Sequence, residues 1–154
     1  MKTIDSSDFQ KVVENVHNNI AYDFDEGVAK IYGVFILENN EIQYEQIGSS
    51  ADIYDLIFDL SNTPDEIKSY DMFTIATCGW AAPVNNDNDM DEMTPPSRHP
   101  EKRRVRLFSN THSTGLVGSS IKFQDDVENP VYDYGDARGT LQEAILGLFN
   151  KVYK

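Results

Sequence analysis

The sequence has few of the residues that usually mark catalytic or metal sites. Its 154 residues include one cysteine, one tryptophan and three histidines. The lone Cys78 cannot form a disulfide within the chain. No apolar run approaches the roughly 20 residues that a membrane-spanning helix needs, and no apolar stretch of the signal-peptide type follows Met1. We therefore expect a soluble cytoplasmic protein that does not contact membranes.

Basic residues are also scarce, which narrows the choice of partners. Lys and Arg total 13 against 26 Asp and Glu, for a formal net charge of −13. A surface this acidic repels nucleic acid at long range, so no direct nucleic-acid binding is expected. Hydrophobic residues make up 40% of the chain, and a chain of this length commonly forms one core. The composition thus predicts a single domain over residues 1–154.

Apolar periodicity and turn signals predict the secondary structure. Helices are expected over 7–20, from Ser49 through Leu60, as a short turn at 63–66, and from Thr140 onwards. Strands are expected over 28–38, 42–46, 72–80, around Val105 and over 116–123.

Several local signals sharpen this pattern. Ser7 and Gln10 fit a capping box for the first helix, and His17 beside its apolar stripe is interpreted as a partly buried surface residue. The strands 28–38 and 72–80 are apolar on both faces and should be central in a sheet. Between the first two strands, Asn39-Asn40 should adopt positive φ in a tight turn.

The resulting element order is α-β-β-α-β-β-β-α with mostly hairpin connections. It predicts an α+β fold with a largely antiparallel sheet of about five strands and packing helices. In element order the chain resembles the roadblock/profilin-like arrangement. That resemblance implies a non-enzymatic docking or dimerising platform, so it favours a protein partner, including a second copy of the chain. It assigns no site residue.

Residues 81–101 are predicted to form a long charged loop, a kind of segment that is often functional or mobile. Asp87, Asp89 and Asp91 match the first three ligands of a calcium-binding loop. Arg98 occupies the place where such a loop has its bidentate glutamate. The sequence therefore predicts a solvated acidic loop, and we expect neither a metal site nor a cofactor.

Three residues are candidates for catalysis: Cys78, His99 and His112. An adjacent imidazolium would lower the pKa of the Cys78 thiol and make it nucleophilic. The alternative is that Cys78 is a small hydrophobic residue of an apolar strand. His112-Ser113-Thr114 matches one His-x-Thr element of the two-histidine phosphoesterases, but the chain has no second copy. Whether the three side chains converge in one pocket decides between these interpretations.

The basic residues are concentrated beside the long loop. Five of them lie within nine positions: Arg98, Lys102, Arg103, Arg104 and Arg106. Guanidinium groups bind phosphate bidentately, so Arg98, Arg104 and Arg106 are candidates for an anion site, together with Trp80. The alternative is a surface salt network with nearby acids.

Two expectations about this cluster depend on geometry. Arg104 and Arg106 are two apart on a strand, so they share a face, and we expect them to point away from the core. A negative group should lie between them: a carboxylate of this chain, an acidic partner or a phosphate. Trp80 should be at least half buried, with its indole nitrogen bonded to loop backbone.

Three functions are consistent with these observations. The leading one is a small acidic docking module without catalytic activity, which binds a protein partner or a small anionic ligand. The second is a hydrolase or phosphoesterase that acts on a phosphate-bearing small molecule through His99, His112 and the arginines. The third is an acidic decoy that occupies a nucleic-acid-binding partner through its negative field.

Overall fold

Six antiparallel strands form one sheet through the middle of the fold. The computed structural model describes residues 4–62, 64–81, 102–134 and 140–153. The strands are β1 (Ala29–Ile36), β2 (Ile42–Ser50), β3 (Met72–Ala81), β4 (Arg103–His112), β5 (Val117–Phe123) and β6 (Asp126–Asp133). Their order across the sheet is β2-β1-β3-β4-β5-β6, and each neighbouring pair is antiparallel. The predicted α+β class with an antiparallel sheet is confirmed.

Helices pack on both faces of this sheet. They are α1 (Ser6–Asn19), α2 (Ile53–Ser61), α3 (Pro64–Lys68) and α4 (Thr140–Tyr153), with a short 3-10 turn over Glu38–Asn40. Buried residues of α1 form one core with Tyr32 and Val34 of β1. Residues of α2, α3 and α4 form a second core with Ile31, Phe73 and Ile75. We call the two sides of the sheet the α1 face and the α4 face.

The order of elements follows the prediction, but the start of the first helix does not. The N-cap of α1 is Asp5, whose carboxylate accepts a hydrogen bond from the Asp8 amide at 2.7 Å. The predicted capping box of Ser7 and Gln10 is therefore wrong, since Ser7 already lies inside the helix. A carboxylate at this position also interacts favourably with the helix dipole. None of the described helices is long and apolar enough to cross a membrane.

The last strand, β6, is the element that the sequence does not predict. The acidic residues Asp126 and Glu128 and the imino acid Pro130 disfavour strands, so the sequence predicts only an acidic segment over residues 125–139. Proline is tolerated on an edge strand, where its missing N–H need not join a ladder. β6 forms such an edge beside β5. The sheet consequently has six strands and not about five.

The central part of the sheet agrees with the sequence. β1 and β3 pair with each other in the interior, and β2 lies at the other edge. Asn39 and Asn40 have φ of 62° and 64°, which confirms the predicted turn. The turn between β1 and β2 therefore forms where the local sequence predicts it.

Gly33 in β1 allows the Tyr70 ring to lie directly on the sheet. A Cβ at position 33 would lie 2.5 Å from three atoms of that ring. The ring cannot easily move, because the Tyr70 hydroxyl donates to the Glu45 carboxylate and the ring packs on Phe35.

We predict that Gly33→Ala lowers the free energy of unfolding by roughly 1–3 kcal/mol through overpacking. Urea denaturation of the two proteins measures this difference. Gly27→Ala is the matched control, because a Cβ there meets nothing within 4 Å. A Gly33→Ala protein as stable as the parent would contradict the packing of Tyr70 described here.

Candidate functional site

Arg104 and Arg106 share the α1 face, as predicted, but they do not point away from the core. Arg106 is only 5% exposed, and its guanidinium carbon lies 4.2 Å from the centroid of the Phe108 ring. The prediction is wrong because α1 covers the face of the sheet on which Arg106 lies. The C-terminal end of α1 lies over Arg106 and encloses its side chain.

Arg106 binds the end of α1 through its guanidinium group. Nη2 donates to the His17 carbonyl at 2.9 Å, and Nη1 donates to the Tyr22 carbonyl at 3.3 Å. The His17 carbonyl is one of the last four of the helix, which have no partner within the helix itself. A cation at this end also complements the helix dipole. Arg106 therefore acts as a C-terminal cap that is contributed by a strand.

Arg104 holds the segment that follows α1. Its Nε and Nη2 donate to the Phe24 carbonyl at 2.9 and 2.7 Å, and Nη2 also lies 3.3 Å from the Cys78 Sγ. The Cys78 thiol in turn donates to the Glu26 carbonyl at 3.0 Å. We call residues 20–28 the α1–β1 connection. Its backbone carbonyls accept the hydrogen bonds of the arginines, and the carboxylate of Asp23 in the same connection partly offsets the lowering of the Arg106 pKa by burial. A carboxylate of this chain is thus near Arg106, as one of the three expectations had it, but the hydrogen bonds go to carbonyls.

The salt-network interpretation applies to Arg103, which lies on the opposite face. Its guanidinium forms a bidentate pair with Asp125, with Nη2 at 2.6 Å from Oδ1, and it lies over the Phe123 ring. This pair raises the pKa of Arg103 and lowers the pKa of Asp125. Of the described arginines, Arg103 forms an ion pair, whereas Arg104 and Arg106 bind backbone carbonyls.

His17 is buried beside Arg106. The sequence predicts only a partly buried surface residue at this position and does not connect it with the arginines. His17 is 6% exposed and packs edge-on against Tyr132. Its Nδ1 lies 3.2 Å from Arg106 Nη2. Burial, and then the charges of Arg106 and Lys122, lower the pKa of His17 to about 4. The imidazole is therefore neutral at pH 7, which lets Nδ1 face a guanidinium.

Cys78 and His112 do not converge. Both lie on the α1 face, but Cys78 is opposite Arg106, whereas His112 is opposite Met72. Six residues of strand separate the two positions, which corresponds to about 20 Å. A thiolate–imidazole pair of Cys78 with His112 is therefore excluded by this register. Arg98 and His99 lie outside the described residues, as does most of the 81–101 loop, and their roles stay predictions.

The His-x-Thr element closes a turn. His112 is completely buried, and its Nδ1 accepts from the Thr114 amide at 3.1 Å and lies 2.8 Å from Thr114 Oγ1. The Gly115 amide donates to the His112 carbonyl, and Gly115 adopts φ of 98°. Such a three-residue hairpin with a left-handed glycine is a common connection between antiparallel strands. In this chain the element therefore orders the β4–β5 hairpin.

Trp80 lies at the end of β3, opposite Arg104. Its side chain is 40% exposed, so the expectation of at least half burial is confirmed. Lys102 Nζ and the Arg104 guanidinium carbon lie 4.7 and 5.1 Å from the ring centroid. Both cations are within the range of a cation–π interaction. The predicted hydrogen bond from the indole to the loop falls outside the described residues.

The described part of the chain contains no group of three or more His, Cys, Asp or Glu side chains arranged to hold a metal ion. A cavity of about 650 Å³ lies between the start of α1, the Glu38–Asn40 turn and His112. Asp5 and Asp8 line it, but Asp5 caps α1 and Asp8 accepts from Asn40. The cavity is separate from Cys78 and the arginines. The acids Asp87, Asp89 and Asp91 lie outside the described residues.

Among the residues that the structure describes, the helices of the α4 face form their core with β1 and β3 and leave part of β4, β5 and β6 outside it. Leu107, Ile121 and Val131 lie directly beside one another on neighbouring strands, and Val105 and Phe123 form the next row. These five residues are absent from the described core that α2, α3 and α4 form with β1 and β3. Val131 is 48% exposed, Leu107, Ile121 and Phe123 are partly exposed, and Val105 is buried. We call the four exposed residues Leu107, Ile121, Phe123 and Val131 the open face.

Comparison with protein-family models, with curated proteins and with solved structures gives no match to this chain. A functional assignment therefore depends on the chain's own residues.

We predict that Arg106→Gln destabilises the protein by roughly 2–3 kcal/mol, because it leaves buried carbonyls without a charged donor. Arg103→Gln is the control, since it removes an equal charge from an exposed ion pair and should leave stability nearly unchanged. Thermal and urea unfolding of both variants measure the difference. Equal effects of the two changes would contradict the capping role of Arg106.

We also predict that His17 makes the protein sensitive to mild acid. The folded-state pKa of about 4 is below the ordinary 6.5, so between these values only the unfolded chain binds the proton. The contribution of the neutral His17 to the free energy of unfolding is complete above about pH 6.5 and is lost as the pH falls towards 4. It amounts to roughly 2 kcal/mol between pH 7 and 5. Urea titrations at both pH values should show a smaller loss in His17→Gln than in the parent, and identical losses would contradict the assignment.

Proposed function

We propose that the protein is a non-catalytic docking module that binds a protein partner on the open face. The observation that carries this proposal is the row of Leu107, Ile121 and Val131 on three neighbouring strands. The described helices leave this row uncovered. Contiguous apolar surface with a polar rim is typical of protein interaction sites.

The shape of the open face favours a protein over a small molecule. Its side chains project from three strands that are spaced by about 4.8 Å, so they form a broad surface and not an enclosed pocket. A protein partner can cover the row and desolvate it in one contact. This binding mode requires no catalytic residue.

Charge favours a partner whose contact surface carries basic residues at its rim. The net charge of the chain is −13, and the exposed acids Asp126 and Glu128 lie on the same edge strand as Val131. Complementary charge speeds association and selects among partners. The lone Cys78 suits a reducing compartment, so we place the module in the cytoplasm as part of the same proposal.

A small anionic ligand has less support as the partner. Arg104 and Arg106 already donate to backbone carbonyls, and Arg103 is paired with Asp125. Binding a phosphate at Arg106 would require these contacts to break. A docking function leaves them intact.

We predict that a photo-crosslinking residue at position 131 captures one discrete protein in the cells that produce this chain. The same residue at position 37 is the control, because Leu37 is also exposed but follows β1, away from the open face. Adducts are separated by mass and identified by mass spectrometry. No adduct from position 131, or the same adducts from both positions, would contradict the proposal.

The variant Val131→Lys provides an independent check. Because Val131 is half exposed, the change should abolish the adduct while the melting temperature stays within about 2 °C of the parent. A large loss of thermal stability would instead show that the open face is already covered within the chain.

A further inference from the structure

Strand β2 forms an edge of the sheet, and alternate residues of it direct their backbone groups outward. At the start of the strand, the Leu37 amide donates to the Glu41 carbonyl at 2.7 Å. The register continues with Phe35 opposite Gln43. Since hydrogen-bonded pairs alternate along an antiparallel ladder, every second residue from Glu41 onwards bonds to β1. The residues between them direct their N–H and C=O groups away from the sheet.

The outward-directed residues are Ile42, Tyr44 and Gln46. They precede the bulge at Ile47, where the register with β1 shifts, so their N–H and C=O groups form one continuous row. No described residue pairs with this side of β2. A row of free N–H and C=O groups on an edge strand is a template for a further strand.

The other edge of the sheet carries residues that usually block strand addition. β6 contains Asp126, Glu128 and Pro130, and charged residues and proline are common means of protecting an edge. Residues 42–46 of β2 include neither proline nor lysine. β2 is therefore the edge that is suited to accept another strand.

The side chains along β2 differ between the two faces. Ile42 packs against the core of the α1 face, and Tyr44 lies on the same face with 40% exposure. On the α4 face, the Glu45 carboxylate accepts from the Tyr70 hydroxyl and is still exposed. The exposed Glu41 is four residues earlier and shares the face of Glu45 by strand alternation. The edge is thus apolar on one face and acidic on the other.

We propose that β2 binds an extended segment of a partner protein as an added antiparallel strand, and that apolar residues alternate with Lys or Arg in this segment. The apolar side chains pack beside Ile42 and Tyr44, and the cations lie beside Glu41 and Glu45. The acids then belong to the non-hydrogen-bonded pairs, in which side chains of the two strands are closest. Backbone hydrogen bonds supply affinity, and the alternating side chains supply specificity.

Charge favours such a segment over a second copy of this chain. Residues 31–67 contain eight Asp and Glu and no Lys, Arg or His. Pairing of β2 with its own copy would therefore bring two acidic edges together.

This edge is distinct from the open face. β2 and β6 lie at opposite edges of the sheet, and the open face is formed by β4, β5 and β6. The two surfaces can therefore be tested separately, and the failure of one proposal leaves the other unaffected.

The test uses a synthetic peptide of about seven residues in which valine alternates with lysine, long enough to span Ile42 to Gln46. Saturating peptide should slow amide exchange at Ile42, Tyr44 and Gln46 by roughly fivefold, because these amides gain acceptors. The amides of Gln43 and Glu45 already bond to β1 and should change little. Protection that maps elsewhere would overturn the proposal.

A second peptide, with glutamate in place of lysine, tests the charge. It should bind at least about tenfold more weakly than the lysine peptide, because like charges then face each other. Equal affinity for the two peptides would overturn the proposal. Sedimentation of the free chain as a dimer, with the same three amides already protected, would do so as well, since a second copy would then be the occupant.

Two N-methylated isomers of the lysine peptide test the direction of the added strand. In the antiparallel arrangement the valine N–H groups face β2 and the lysine N–H groups face away. Methylation of the valine nitrogens should therefore abolish binding, whereas methylation of the lysine nitrogens should preserve it. Equal losses, or the reverse order, would contradict the proposed strand.

Variants of the protein test the same backbone contact from the other side. Gln46→Pro removes one outward N–H without removing a bond to β1, and it should weaken the lysine peptide by about tenfold. Gln46→Thr is the matched control, because it changes the side chain and keeps the N–H. Full affinity in Gln46→Pro, or an equal loss in Gln46→Thr, would contradict strand addition. The melting temperature of each variant reports folding, and the methylated peptides probe the same contact in the unaltered protein.

Discussion

The buried guanidinium of Arg106 holds the end of α1 and the start of the α1–β1 connection on the sheet. A charge with 5% exposure is stable only when hydrogen bonds replace its water. The carbonyl of His17 in the last turn of α1 and that of Tyr22 in the α1–β1 connection provide these bonds. The His17 contact also satisfies a carbonyl that the helix cannot satisfy itself. Arg106 thus adds a polar contact at the C-terminal end of α1, while the apolar residues of the helix pack in the core.

This use of arginine shapes the outer surface of the protein. Arg104 and Arg106, two of the 13 Lys and Arg residues, donate to backbone carbonyls of the α1–β1 connection and of α1. The stretch from Ile31 to Ile67 carries acids without basic residues. A surface of this kind offers apolar and acidic contacts to a partner, which agrees better with protein recognition than with the chemistry of bound phosphate.

The sequence predicts the elements well where local signals and burial agree. β1 and β3 are apolar on both faces because helices cover both sides of them, and Asn39-Asn40 has the chemistry of the turn that it forms. The sequence does not predict β6, because its acids and Pro130 disfavour strands even though an edge position tolerates them. Local propensity is a weak guide at such a position.

The site is less predictable because it depends on contacts between distant segments. Residue spacing predicts that Arg104 and Arg106 share a face, but the burial of Arg106 follows from α1, whose residue His17 is 89 positions away in sequence. The separation of Cys78 from His112 is fixed by the register of β3 on β4. Strand alternation alone does not specify that register. The concentration of basic residues between Arg98 and Arg106 is unusual in an acidic chain and is visible in the sequence. Only the packing of α1 shows what Arg106 binds.

Amide hydrogen exchange tests the role of Arg106 most directly. In Arg106→Gln, exchange should accelerate at the end of α1 and along residues 20–28, because their carbonyls lose the contact that holds them on the sheet. Protection in the centre of β1 and β3 should fall much less at low denaturant. Unchanged protection of residues 17–28 relative to the parent would contradict the account, as would an equal loss of protection throughout the chain.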